Sequence, residues 1–356
     1  MISLTTSELI EILDCTPAEQ NIMLAGRHGI GKSEILTEYY TKKNFRVVSL
    51  FLGQMSDPGD IIGLPSKNET TGQTEFMLPY WFPVDGKPVV LFLDELNRAR
   101  PEILQTIMDL ALNRKLAGKK LPEGSRLISA VNDGDEYQLT DLDPALVSRF
   151  NIYSFKPTVE EWLLWASRNK LDSRVINFIQ ANPEFLDSAV VAEKFDTGLE
   201  KTPDRRAWKK VSDILKPKKK LSEVHKKLVA GIVGTPAAVK FFDFASGKQI
   251  LPAKDILMNF SKSKSVVEKY EIHQLSQLND SVFRFLQTSQ LSENEENTVA
   301  ENLLLYFKLL EKNNQKEAIA HFASYFEKTD YPKAISFIMM DVSEVYSKIM
   351  DFIDNI

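Results

Sequence analysis

Cysteine is almost absent: among 356 residues only Cys15 is one. A single thiol excludes a disulfide within the chain and any zinc site built on cysteines. A reducing, cytoplasmic compartment is the expectation for such a chain. Long apolar runs are also missing, none approaching the ~18 residues of a membrane-spanning helix. The opening stretch MISLTTSELIEILDC holds acids and no basic region, so no secretion signal is expected there. Positive charge is not in excess either. The net charge of −5 argues against global attraction to nucleic acid, while leaving room for a local basic patch.

What is present is an ordinary globular composition, in a length suited to two or three domains. The chain is organised around Gly26–Ser33, GRHGIGKS, which fits the phosphate-loop pattern G-x-x-x-x-G-K-[ST]. The spacing has a physical reason. Glycines at 26, 29 and 31 let the backbone wrap a phosphate closely with its N–H groups turned inward. Lys32 brings a compact positive charge to the β/γ-phosphates, and the Ser33 hydroxyl can ligate Mg²⁺. The helix beginning near Lys32 turns its positive end to the anion. Gly26, Arg27, His28, Gly29, Ile30, Gly31, Lys32, Ser33 and Glu34 are therefore the candidate nucleotide-binding residues, with His28 read as a passenger rather than a catalyst.

The flanking sequence has the order such a loop requires. Asn21–Ala25 reads as a buried strand, and Ser33–Lys43 as a helix. Further strands are expected at Arg46–Leu52, Lys87–Asp94, Arg126–Val131 and Asn151–Phe155, giving five. Before the first of them, Ser3–Asp14 reads as a helix capped by Thr5, Thr6 or Ser7. The strand KPVVLFLD delivers Asp94 and Glu95 to its C-terminal edge, where ligands of open α/β sheets bind. Asp94 is the expected Mg²⁺ carboxylate, and Glu95 the group that orients and polarises the attacking water. Pro101 opens a helix to Asn113, and Asp143 caps a short one with Pro144 at its first position.

Residues 57–85 are an insertion too rich in Pro, Gly and Asn for long elements. Its aromatics Phe76, Tyr80, Trp81 and Phe82 form either a partner- or pore-facing tip or a hairpin packed on its own core. From Thr158 the pattern turns helical, with elements expected over 160–169, 173–181, 186–193, 202–215 and 221–233. In TPDRRAW, Thr202 reads as the cap and Pro203 as the first helical residue. Arg205 and Arg206 then sit near a helix N-terminus, where cations need an anion nearby. A γ-phosphate would supply it. Lys216–Lys220, KPKKK, is either a solvated loop or a nucleic-acid patch. Residues 261–356 are helical by periodicity and carry no chemical motif.

Together the motifs resemble the AAA+ ATPases, specifically the MoxR branch. The resemblance rests on GRHGIGKS (Gly26–Ser33), VVLFLDELNRA (Val89–Ala99), LDPALVSRF (Leu142–Phe150), EEWLLWA (Glu160–Ala166) and TPDRRAW (Thr202–Trp208), and covers roughly residues 1–258. It implies an α/β P-loop core over 1–156, an α-helical lid over 157–258 and a helical C-terminal extension over 259–356 that contacts partners. The inserts at 57–85 and 114–125 match hairpins near the pore of a ring. By resemblance, Asn132 is the sensor for the lytic water and Arg149 the arginine finger reaching the next subunit's γ-phosphate; the plainer reading of Arg149 is a structural ion pair. Arg206, or else Arg205, is the second sensor, and Arg98 and Arg100 face a neighbouring subunit. The resemblance implies Mg²⁺-dependent ATP hydrolysis by a hexameric ring that remodels or chaperones a protein partner. A von Willebrand factor A domain protein is the leading candidate for that partner. A nucleic-acid motor using Arg114, Lys115, Lys119 and Lys120, and a non-catalytic nucleotide-gated scaffold, are the alternatives.

Overall fold

A computed structural model describes residues 1–132, 142–187, 201–218, 220–246 and 250–354. The chain divides into two units, Met1–Thr158 and Val159–Ile356. The first contains β1 (Ile2–Leu4), α1 (Thr6–Cys15), β2 (Asn21–Gly26), α2 (Lys32–Lys42), β3 (Arg46–Phe51), α3 (Gly59–Ile62), β4 (Leu64–Lys67) and β5 (Thr74–Met77). It continues through β6 (Val89–Asp94), α4 (Pro101–Asn113), β7 (Lys115–Leu116), β8 (Lys119–Lys120), β9 (Arg126–Asn132), α5 (Pro144–Val147) and β10 (Phe150–Phe155).

Six strands, not the expected five, form one sheet in the order β1-β10-β2-β9-β6-β3. Every neighbouring pair in it is parallel. The extra strand is β1, which sequence reading had merged into the first helix. Three residues carry too little alternation to signal a strand. Its identity comes from pairing Ile2–Leu4 with Tyr153–Phe155 across the chain. Thr5 is the helix cap, in a capping box with Glu8.

The central strands are buried throughout, as a parallel sheet covered on both faces requires. One side packs α4 through Ile103, Ile107 and Leu110 against Leu91 and Leu93. The other packs α1 and α2 through Leu9, Leu13 and Leu36 against Leu24, Phe92 and Ile128. These interleaved apolar faces hold the strand ends in register, and each buried leucine truncated to alanine costs about 2–5 kcal/mol.

The second unit is helical: α6 (Val159–Arg168), α7 (Ser173–Ala181), α8 (Arg205–Leu215), α9 (Glu223–Val233), α10 (Thr235–Ser246) and α11 (Ala253–Met258). It ends with α12 (Phe260–Val267), α13 (Ile272–Thr288), α14 (Glu293–Lys312), α15 (Lys316–Ala323), α16 (Pro332–Asp341) and α17 (Ser343–Asp354). Two apolar clusters run through it. The first centres on Phe178, whose ring lies 5.2 Å from Trp208 and 5.4 Å from Phe241. The second joins α13 to α17 around Phe283, stacked 4.2 Å from Tyr325. Leu164 of α6 belongs to the second cluster, so α6 serves both. The helix expected over 186–193 lies outside the described residues from 188 onward. Among the described residues no helix is long and apolar enough to cross a membrane.

Candidate nucleotide site

The three central strands β2, β9 and β6 end side by side, and their last residues are Gly26, Asn132 and Asp94. Gly26 and Asn132 are direct partners in register. After β2 the loop turns into α2 at Gly31, whose φ of +102° suits glycine alone among common residues. As the N-cap, Gly31 offers no side chain to the first-turn N–H groups. A helix start left uncapped in this way is the arrangement anions use.

Lys32 is the first residue of α2 and only 6% exposed. Its ammonium donates to the Gly26 carbonyl at 2.6 Å, the Arg27 carbonyl at 3.1 Å and Asn132 Oδ1 at 3.1 Å. Those bonds hold the ammonium at the mouth of the loop. Beside it, Ser33 Oγ donates to Asp94 Oδ2 at 2.9 Å. Lys32, Ser33, Asp94 and Asn132, all chosen from sequence, thus converge at one sheet edge.

The acidic motif is shaped by two residues that sequence reading missed. Asn97, 6% exposed, donates through Nδ2 to the Asn132 carbonyl at 2.9 Å and accepts from the Asn132 N–H at 3.3 Å. This paired bond ties the turn after β6 to the end of β9. Its sequence signal was only a polar residue after two acids. Glu95 stands in the left-handed region at φ +56°, a strained setting for a non-glycine residue. Its carboxylate accepts from Arg98 Nη1 at 2.9 Å. A Cβ on Gly53 would come within 3.0 Å of Glu95 Oε2, so glycine there keeps room for the carboxylate. Arg98, expected to face a neighbour, is engaged with Glu95 within its own chain.

The other predicted site residues lie apart from this cluster. Arg149 precedes β10, and its Nη1 donates to the carbonyl of Ala145, the second residue of α5. Its Nε is buried without a hydrogen-bond partner. Asn21, at the start of β2, donates to the Arg149 carbonyl at 2.9 Å and fixes the backbone there. Arg205 and Arg206 belong to the second unit. There the expected cap is displaced: Asp204, not Thr202, caps α8 by accepting from the Ala207 N–H. The short aspartate carboxylate reaches that N–H, and α8 therefore starts at Arg205. The anion beside Arg205 is the Asp187 carboxylate, 2.8 Å from Nη2 and 2.9 Å from Nε.

The insertion divides. Trp81 is fully buried and Phe82 nearly so, both in the core beneath α4, while Tyr80 is 89% exposed. Around them stand the short α3 and the β4–β5 hairpin. The second hairpin, β7–β8, exposes Lys115, Lys119 and Lys120. Arg114 instead ends α4 and donates to the Ala18 carbonyl at 2.8 Å, and burial lowers its pKa.

The residues fit a Mg²⁺–triphosphate. Ser33 and Asp94 offer hard oxygen donors at one point, and Lys32 brings a cation beside a helix start with no side-chain cap. Among the described residues there is no group of three or more His, Cys, Asp or Glu that could cage a metal. Such a sparse protein ligand set suits Mg²⁺, which keeps waters and phosphate oxygens in its shell.

The putative chaperone BssE of Thauera aromatica is 27% identical over 182 residues, or 46% of this chain and 63% of that protein. The chain therefore spans under two thirds of that relative's length. Among solved structures, the Thermotoga maritima RuvB Holliday junction branch migration motor aligns with a TM-score of 0.37 and 14% identity, over 78% of this chain and 80% of that one. A mutant of the same RuvB gives 0.36 and 15%, over 74% and 75%. Residues 21–150, from the start of β2 to the start of β10, match the AAA domain (dynein-related subfamily).

Proposed function

We propose that this protein hydrolyses ATP with Mg²⁺ as an oligomeric AAA+ ATPase of MoxR type and uses the energy to remodel or chaperone a protein partner. The observation that carries the reading is the meeting of Lys32, Ser33, Asp94 and Asn132 at the ends of three adjacent parallel strands. When bound, Mg²⁺ would be held by Ser33 and Asp94 and would neutralise charge on the phosphates. Lys32 grips the phosphates, and Asn132, steadied by Asn97, presents its amide oxygen beside them. Glu95 orients the attacking water and accepts its proton once its carboxylate leaves Arg98.

Arg149 completes the site of an adjacent subunit in a ring, taken here as a hexamer. Its fixed fork suits phosphoryl oxygens. Of the two arginines on α8, Arg206 is the second sensor, because the fork of Arg205 is already held by Asp187. Residues 157–258 act as the lid and 259–356 as the partner-binding extension. The chaperone name of the Thauera relative supports a protein partner. A von Willebrand factor A domain protein is the first partner to test, in the cytoplasm.

Glu95→Gln tests the reading. It should retain ATP yet lower turnover about 10²–10⁴-fold. Arg149→Ala should be inactive alone and regain activity when mixed with Glu95→Gln subunits; no recovery at any ratio counts against a shared site. Exposed Lys115, Lys119 and Lys120 favour a second reading, a nucleic-acid-stimulated motor. Hydrolysis stimulated by DNA, with steep salt dependence, would put that reading first.

A further inference from the structure

The chain is acidic overall, yet Lys201–Lys240 holds twelve Lys and Arg against three Asp and Glu. Most of this charge lies on α8, α9 and the turn between them. Lys210, Lys216, Lys218, Lys220 and Lys227 are exposed and Lys226 half-buried. None of these six pairs with a carboxylate among the described residues. Of the three acids, Asp204 is used as the cap of α8. Glu223 lies one turn before Lys226 and Lys227 and forms no ion pair with either.

Some lysines elsewhere are held in ion pairs. Lys42 pairs with Glu38, Lys43 with Asp14, Lys308 with Glu344 and Lys348 with Glu311. Favourable placement at the C-terminal end of α8 accounts for Lys216 and Lys218. It does not account for Lys220, which precedes the Ser222 cap of α9, nor for Lys226 and Lys227 in the first half of that helix. Between these cations α9 exposes Val224 (66%) and Leu228 (46%), one turn apart on one face.

We propose that the α8–α9 hairpin is a docking surface for an acidic segment of a partner protein, with aliphatic side chains among its carboxylates. Charge complementarity and the Val224–Leu228 pair together select this occupant. Nucleic acid fits less well. The only aromatic residue in the stretch, Trp208, is fully buried, so no base-stacking platform exists. Arg205, one of its two arginines, is committed to Asp187. An anionic membrane would meet only two exposed aliphatic side chains on the hairpin, and no aromatic anchor. None of Lys218, Lys220, Lys227 and Leu228 is among the residues assigned to the nucleotide site, so binding is measured without nucleotide.

Fluorescence anisotropy of the full-length protein without nucleotide tests the proposal. The probe is a labelled peptide of alternating Glu, Asp and Leu. Its comparators are a Gln/Asn/Leu peptide of equal length, single-stranded and duplex DNA, and phosphatidylserine–phosphatidylcholine vesicles. The acidic peptide should bind about tenfold or more tightly than the neutral one, and salt should weaken it. The triple variant Lys218→Glu, Lys220→Glu, Lys227→Glu should lose about tenfold in affinity. Leu228→Ser should lose about threefold for this peptide and nothing for an all-glutamate one. Lys262→Glu with Lys316→Glu, elsewhere on the same unit, should bind as the parent does. Unchanged affinity in the triple variant overturns the proposal. So does tighter binding of DNA or of vesicles that displaces the peptide.

Discussion

The α/β unit and the helical unit both bury polar side chains, but they use them in opposite ways. In the helical unit the buried groups are consumed by one another. Tyr306 donates to Asn279 at 2.7 Å, Asn279 donates to the Ala318 carbonyl at 2.8 Å, and Tyr325 donates to Asp280. Arg284, 4% exposed, is spread over Gln180, Asn177 and Ser281. These bonds link α7, α13, α14 and α15, and they lie in the interior. In the α/β unit one group of buried polar side chains, Lys32, Asn97 and Asn132, sits at the C-terminal ends of β2, β6 and β9. There Lys32 donates to the Gly26 and Arg27 carbonyls and to Asn132 Oδ1. Polar groups closed on one another inside a core are architecture. Polar groups set together at the C-terminal ends of parallel strands stand where ligands of open α/β sheets bind.

The sharpest break of that contrast is Lys32→Ala. Losing the cation at the strand edge should lower ATP turnover by at least about 10²–10³-fold, as removal of a preorganised charge-stabilising group does. The fold should persist, because the packing of α1 and α2 on the sheet runs through Leu9, Leu13 and Leu36 and not through the Lys32 ammonium. Phosphate release and nucleotide binding, with circular dichroism as control, read this out. Turnover within tenfold of the parent would move the phosphate grip away from Lys32.

The counterpart in the helical unit is Tyr325→Phe. Burial and the Asp280 carboxylate push the Tyr325 phenol far up, so it remains a hydrogen-bond donor at every working pH. Removing the hydroxyl takes a donor from a carboxylate that is only 8% exposed. The expected loss is about 1–3 kcal/mol of stability, measured by urea unfolding, with ATP turnover of the folded protein unchanged. A fall in turnover without a fall in stability would mean that the interior network is not merely structural.

The contrast also explains what could be read in advance. Gly26–Ser33 and the run into Asp94 are local signals, with chemistry and fold written in adjacent residues. Their convergence with Asn132 followed from strand order. Features made by distant pairing were hidden: β1 is a strand only against β10, and Arg205 meets Asp187, which lies 18 residues earlier in the chain. The aromatic cluster of the insertion was legible as a cluster. Nothing in the spacing of Tyr80, Trp81 and Phe82 said that two would be core and one solvent-facing. Asn97 was invisible because its role is to hold another residue's backbone.

Asn97 offers a finer cut. It touches neither the expected phosphate nor the metal ligands; it orients Asn132 through a paired bond. Asn97→Ala should lower turnover about tenfold while leaving ATP affinity nearly unchanged, since Lys32 and Ser33 stay in place. Asn97→Asp keeps the acceptor but not the donor and should recover part of the loss. Equal losses in affinity and turnover would make Asn97 a folding residue, like Asn279.

The smallest effect belongs to the capping box that joins β1 to α1. Glu8 accepts from the Thr5 backbone N–H at 2.8 Å and from its hydroxyl at 2.9 Å. Those bonds to the ionised form hold the Glu8 pKa below its usual value, the backbone contact first. A carboxyl whose pKa is lower in the folded state adds stability above its unfolded pKa. That contribution fades as pH falls through the folded value. Glu8→Gln should therefore melt slightly below the parent near neutral pH, and the two curves should converge in acid. A gap that stays constant down to strongly acidic pH would assign the difference to amide geometry rather than charge. It would also mark α1 as a helix held by Leu9 and Leu13 against the sheet, with its cap incidental.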